Sequence, residues 1–150
     1  MTQNYHKRIE ILLVEDNEGD VFLITDALAQ TKLGHRVHVA SNGEVALEML
    51  KGEKKHADFD VPDLMILDIN LPKINGKQLL EEVKQDNELR QIPIIILTSS
   101  SYKQDVIDCY KSYASSYIVK PHHSEDFKEI ANAIERFWFD VVVLPRQVYE

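Results

Sequence analysis

The stretch "LMILDINLPKING", residues 64 to 76, runs four apolar residues into an acid, Asp68, and then breaks at Pro72 and Gly76. An apolar run of strand length with no polar alternation reads as a strand covered on both faces, the habit of central strands in parallel sheets. An acid that ends such a strand is either a solvated stop or a reactive group held at a rim. The rest of the chain decides between the two.

Working outward, similar runs recur: "IEILLV" at 9 to 14, "RVHVA" at 36 to 40, "IPIIIL" at 92 to 97 and "YIV" at 117 to 119. Segments with helical spacing lie between them, carried by Val21, Ile24 and Leu28; Ala46, Met49 and Leu50; Leu79, Leu80 and Val83; and Val106, Ile107 and Tyr110. The last segment aligns Phe127, Ile130, Ala131, Ile134 and Trp138 on one stripe. Ser41 with Glu44 reads as a capping box, and Ser124 stands just ahead of the last stripe. Linkers are short except "KGEKKHADFDVPD", 51 to 63, a polar loop before the third strand. Five strand-helix units with apolar central strands predict an α/β fold, an open, doubly wound five-stranded parallel sheet with helices on both faces.

A chain of 150 residues with 44% hydrophobic and 28% charged residues suits one ordinary globular domain. Its 25 acids against 17 Lys and Arg leave a net charge of −8, which argues against a nucleic-acid partner. Cys109 is the lone cysteine, so no internal disulfide forms. "MTQNYHKRIE" lacks the apolar core of a signal peptide, and no apolar run approaches the roughly 20 residues of a membrane span. The expected setting is the cytoplasm.

In a doubly wound sheet the residues just past the carboxyl ends of the strands meet in one crevice. Here those residues include Glu15 and Asp16 after the first strand, Asp68 after the third, Thr98 after the fourth and Lys120 after the fifth. Any one acid after a strand is most often a helix cap or a solvated turn; the combination is what points to chemistry. Two charges about 4 Å apart at an effective dielectric near 20 cost about 4 kcal/mol, so three carboxylates call for a cation. An all-oxygen site that keeps several waters is what Mg²⁺ prefers, with Asp16, Asp68 and the carbonyl of Asn70 as ligands and Glu15 holding a metal-bound water. Thr98 and Lys120 would then stabilise a phosphoryl group in flight, and Asp68 would be the nucleophile that carries it.

These residues resemble the receiver domains of two-component response regulators. The matching pieces are "VEDN", "LDINLPKING", "LTSS" and "YIVKP", within a resemblance spanning residues 9 to 138. The resemblance implies the flavodoxin-like receiver fold and a phosphoacceptor that takes phosphate from a sensor histidine kinase with Mg²⁺ bound. The phosphoryl group is then lost by self-catalysed hydrolysis, so the chain is a signalling protein rather than a turnover enzyme. It also implies that Thr98 and Tyr117 act as a switch remodelling the face of helix four, strand five and helix five, and that the Lys120–Pro121 bond is cis. Where many receivers have an aromatic after Lys-Pro, this chain has His122 and His123, so that loop is expected to pack differently.

No effector domain is read after the receiver, so output is expected through protein contact. The division is a receiver domain at 1 to 138 and an apolar extension at 139 to 150, with Phe137, Trp138, Phe139, Val142 and Leu144 as the expected interface. This ending resembles the small regulators paired with bacterial phytochrome-type histidine kinases. It implies a homodimer through helix four, strand five, helix five and the tail. The competing function is a receiver-like adaptor that binds a partner without phosphorylation. A haloacid-dehalogenase-like phosphatase is disfavoured because Asn70 stands where a second acid is needed, and a flavodoxin-type module because "EDNEGD" would repel a phosphate.

Overall fold

The computed structural model describes residues 8–31, 34–52 and 61–145. Residues 53 to 60 of the long polar loop and 146 to 150 of the extension lie outside the described residues. In chain order the elements are β1 (Ile9–Val14), α1 (Glu18–Ala29), β2 (His35–Ala40), α2 (Gly43–Leu50), β3 (Leu64–Leu67), α3 (Gly76–Gln85), β4 (Ile94–Thr98), α4 (Lys103–Lys111), β5 (Ser116–Val119) and α5 (Phe127–Ile134). The strands form one sheet in the order β2-β1-β3-β4-β5, every pair parallel.

The two-residue period of a strand sorts its side chains onto opposite faces. Leu12, Val14, Met65, Leu67, Ile94 and Ile96 join one core cluster with Ala46, Met49, Leu79, Leu80 and Val83 of α2 and α3 and Cys109 of α4. Their alternates Ile11, Leu13, Leu64, Ile66, Ile95 and Leu97 join the other with Ile24 and Leu28 of α1 and Phe127, Ala131 and Ile134 of α5. This is why β3 is apolar throughout and β1 and β4 are so except at Glu10 and Thr98: each apolar residue has a core to enter. The chain reverses its direction across the sheet between β1 and β3, which makes their carboxyl ends the switch point.

Asparagines start the first three helices. Asn17 accepts from Asp20 N at 2.9 Å, Asn42 from Val45 N at 2.9 Å and Asn75 from Gln78 N at 3.0 Å, the last completed by Gln78 as a capping box. The expected Ser41 box is therefore replaced by Asn42, one residue later. Ser124 opens a short 3₁₀ turn, Ser124–Asp126, and makes no side-chain cap for α5. In α4 the buried residue is Cys109, while Tyr110 of the expected stripe faces outward. Burial pushes the Cys109 thiol up to about 11, so it serves as packing.

The expected break at 138 falls inside continuous helix. After Ile134 the backbone widens into a π-helical segment, Glu135–Val141. Ile134 and Phe139, five residues apart, both enter the α1/α5 core, and Phe139 packs its ring against His35 with centroids 5.8 Å apart. Leu144 is fully buried there too. Phe139 and Leu144 therefore do not form an exposed interface, and Trp138 and Val142 pack partly against the same core. Phe137, Val141 and Val143 remain exposed. Among the described residues no helix is long and apolar enough to cross a membrane.

Candidate phosphoacceptor and metal site

Asp68 follows directly on β3 and stays 95% out of solvent, at 5% exposure. Its backbone N–H donates to the carbonyl of Val14 at 3.0 Å, which extends the β1–β3 pairing to the acid itself. The chain then turns away through Lys73, whose φ is 64°, to Gly76, whose N–H donates to the Ile69 carbonyl at 3.0 Å. A side chain at Gly76 would run into the backbone of Asp68 and Ile69, so glycine is what lets α3 start against the end of β3. The acid at the end of "LMIL" is thus presented rather than solvated.

One Asp68 oxygen, Oδ1, accepts from the Asn70 backbone N–H at 2.9 Å, and the other, Oδ2, from the Lys120 ammonium at 2.8 Å. Lys120 also lies 2.6 Å from Glu15 Oε1. Glu15, Asp16 and Asp68 each offer a carboxylate oxygen, and these oxygens all lie within 4.8 Å of one another. Thr98 is buried, and its Oγ1 accepts from Asn70 Nδ2 and from the Ser100 backbone N–H, both at 3.4 Å. The expected residues Glu15, Asp16, Asp68 and Lys120 are brought together directly, with Thr98 joined through Asn70.

The electrostatics are those of a site short of positive charge. Burial pushes the Glu15 carboxyl up to about 7, aided by the charge of Asp68 and opposed by the hydrogen bond from Lys120. Burial would by itself lower Lys120, but hydrogen bonds to Asp20, Asp68 and Glu15 outweigh it and hold the ammonium above the ordinary lysine range. A further cation is what this donor set lacks, and three oxygens from carboxylates suit a hard divalent ion such as Mg²⁺.

Two features were not legible as site residues in the sequence. Asp20, in the first turn of α1, reaches Lys120 Nζ at 2.7 Å. An acid there is common simply because it complements the helix dipole, so its spacing gives no sign of the distant lysine. Lys77 of α3 reaches Asp105 at 2.6 Å and Asp108 at 2.9 Å on α4, and Asp105 accepts from Ser100 Oγ at 2.5 Å. Those two hydrogen-bonded acids hold Lys77 above its ordinary range. Tyr117 is partly buried against the α2–α4 core and donates its hydroxyl to the Ser100 carbonyl at 2.9 Å. The Lys120–Pro121 bond is trans, against the cis bond expected. His122 and His123 are exposed in the loop that follows.

Residues 11–132 match the family described as response regulator receiver domain. Response regulator Rcp1 of Synechocystis sp. is 34% identical over 135 residues, which is 90% of this chain and 92% of Rcp1. A crystal structure of the Mn²⁺-bound form of Rcp1 aligns with a TM-score of 0.87 at 34% identity, covering 91% of this chain and 99% of that one. The phosphorylated cyanobacterial phytochrome response regulator RcpA aligns with a TM-score of 0.89 at 36% identity, covering 93% and 99%. Receiver domains bind Mg²⁺ at an acidic pocket, and that pocket is filled here by Glu15, Asp16 and Asp68. With its sheet order, its buried strand-end aspartate and the lysine bonded to it, the chain belongs to the response regulator receiver domain family and is related to the phytochrome response regulators.

Proposed function

We propose that the chain accepts a phosphoryl group from a sensor histidine kinase onto Asp68 and signals by protein contact. The observation that carries this is the Asp68 carboxylate, buried, oriented through Oδ1 by the Asn70 N–H at 2.9 Å and through Oδ2 by Lys120 at 2.8 Å, beside two further acids. Asp16, Asp68 and the Asn70 carbonyl would hold Mg²⁺, with Glu15 beside them to accept from a water on the ion. When bound, the ion neutralises the acids and places positive charge at the phosphoryl oxygens. Asp68 attacks as the nucleophile, while the Lys120 ammonium and the Thr98 hydroxyl meet the charge spread over the equatorial oxygens. Asn70 and Ser100, two residues beyond Asp68 and Thr98, border the path of the water that later hydrolyses the acyl phosphate.

Intact-protein mass spectra after incubation with acetyl phosphate test this without knowledge of the kinase. One phosphoryl group is expected with Mg²⁺ present and none after chelation. No gain in either condition, or an equal gain in both, would overturn the assignment.

A phytochrome-type kinase is the partner that best fits, since RcpA, a phytochrome response regulator, is 36% identical to this chain. Thr98 and Tyr117 form the switch, supported by the Tyr117 hydroxyl holding the loop carbonyl two residues past Thr98. The output surface is a homodimer face on α4, β5 and the C-terminal helix, where Tyr110, Tyr113, Val119, Phe137, Val141 and Val143 leave apolar area exposed. The net charge of −8 disfavours a nucleic-acid partner, and the setting is the cytoplasm. Sedimentation at micromolar concentration should give a dimer; a monomer in both the phosphorylated and unphosphorylated protein would sink this part of the proposal.

A further inference from the structure

The Lys120 ammonium has three N–H donors. Three carboxylates surround it: Glu15 at 2.6 Å, Asp20 at 2.7 Å and Asp68 at 2.8 Å. Every donor therefore has an acceptor before any phosphoryl group arrives. Glu15 and Asp68 stand at strand ends with side chains 1% and 6% exposed, whereas Asp20 projects from α1 and is 25% exposed. The turn that carries Asp20 is itself pinned, because its N–H donates to Asn17 Oδ1 at 2.9 Å.

A phosphoryl group on Asp68 brings new oxygen acceptors to the same ammonium, which has no N–H to offer until one carboxylate lets go. Asp20 is the carboxylate water can reach most easily, so releasing it costs least. We propose that Asp20 is a positioning residue that brakes the phosphoacceptor site, holding the third N–H of Lys120 and adding negative charge beside Asp68. The inference rests on the phosphoacceptor reading above. In transfer from acetyl phosphate, an Asp68 oxygen forms the new bond to phosphorus, the bond from phosphorus to the acetate oxygen breaks, and acetate leaves with the electron pair. Both the repulsion of the anionic donor and the late arrival of the Lys120 N–H at the equatorial oxygens slow that step.

The test compares Asp20→Asn and Asp20→Ser with Asp26→Asn, which removes the same charge from an exposed position on the same helix. Two quantities are read on the full chain: the solvent exchange rate of the Lys120 ammonium protons by NMR, assigned by its loss in Lys120→Arg, and the rate of phosphorylation by acetyl phosphate at saturating Mg²⁺. Both Asp20 variants should speed ammonium exchange and raise the phosphorylation rate by about fivefold, with Asp26→Asn changing neither. A plain structural ion pair would leave the phosphorylation rate where it was or lower it, and either result overturns the brake. Unchanged ammonium exchange overturns it as well. A wild type that takes no phosphate overturns the phosphoacceptor reading and the brake together. A phosphorylated wild type beside unaltered Asp20 variants overturns the brake alone.

Discussion

Asp68→Asn is expected to reduce phosphorylation to background, a loss of at least about a thousandfold in rate. The amide is close to the carboxylate in size, and with its single oxygen turned toward Lys120 it keeps that hydrogen bond while giving up the acceptor for the Asn70 N–H. What it loses is the anionic oxygen that attacks phosphorus and one acid of the cation cluster. Removing one of three crowded acids should leave the melting temperature unchanged or raise it, so lost phosphorylation cannot be blamed on unfolding. Intact mass after acetyl phosphate with Mg²⁺, beside a thermal melt, reads both. A normal yield of acid-labile phosphate on this variant would move the nucleophile to another acid of the cluster.

Gly76→Ala should cost about 3 kcal/mol, the upper end of what one inserted methyl does to a packed interior. The added Cβ would strike the Ile69 backbone and the Asp68 carbonyl, neither of which can turn away as a side chain would. Relief requires lifting the start of α3 from β3, which stretches the Gly76 N–H bond to Ile69 and shifts the loop that aims Asp68. The urea midpoint should fall with the slope unchanged, and phosphorylation should slow as well. Gly34→Ala is the control, since a methyl there meets nothing within 4 Å. If the two variants melt alike, the close approach at Gly76 is not what holds this turn.

The strands were legible because their physics is local. β1 and β3 occupy the ranges the sequence predicts, since a residue buried on either face must be apolar and the run stops where the chemistry begins. The crevice followed from topology alone: Glu15, Asp16, Asp68 and Lys120 converge because they follow strand ends. Features that depend on a partner far along the chain were not legible. Asp20 finds Lys120 across 100 residues, and nothing about an acid in a first turn announces that. The cap of α2 moved by one residue because Ser41 and Asn42 are both good caps and only the backbone angles choose. The tail misled for a different reason. A 3.6-residue period sends Trp138 inward and leaves Phe139 outside, but a π-helical turn brings Phe139 beneath Ile134 instead.

β3 is buried along its whole length, with a core above it and another below. Such a strand works as a foundation: it cannot yield to a pull without opening voids on both sides. β4, next to it, is equally enclosed up to Thr98. Any force applied at the rim must therefore be spent in compliant parts, and α4, with a single buried side chain, is one of them. Its moorings are the Lys77 clamp to Asp105 and Asp108 and the Ser100 link to Asp105, polar ties that water can replace one at a time. Rigidity in the centre thus gives mechanical events at the rim a preferred direction of travel, sideways along the surface rather than down through the sheet.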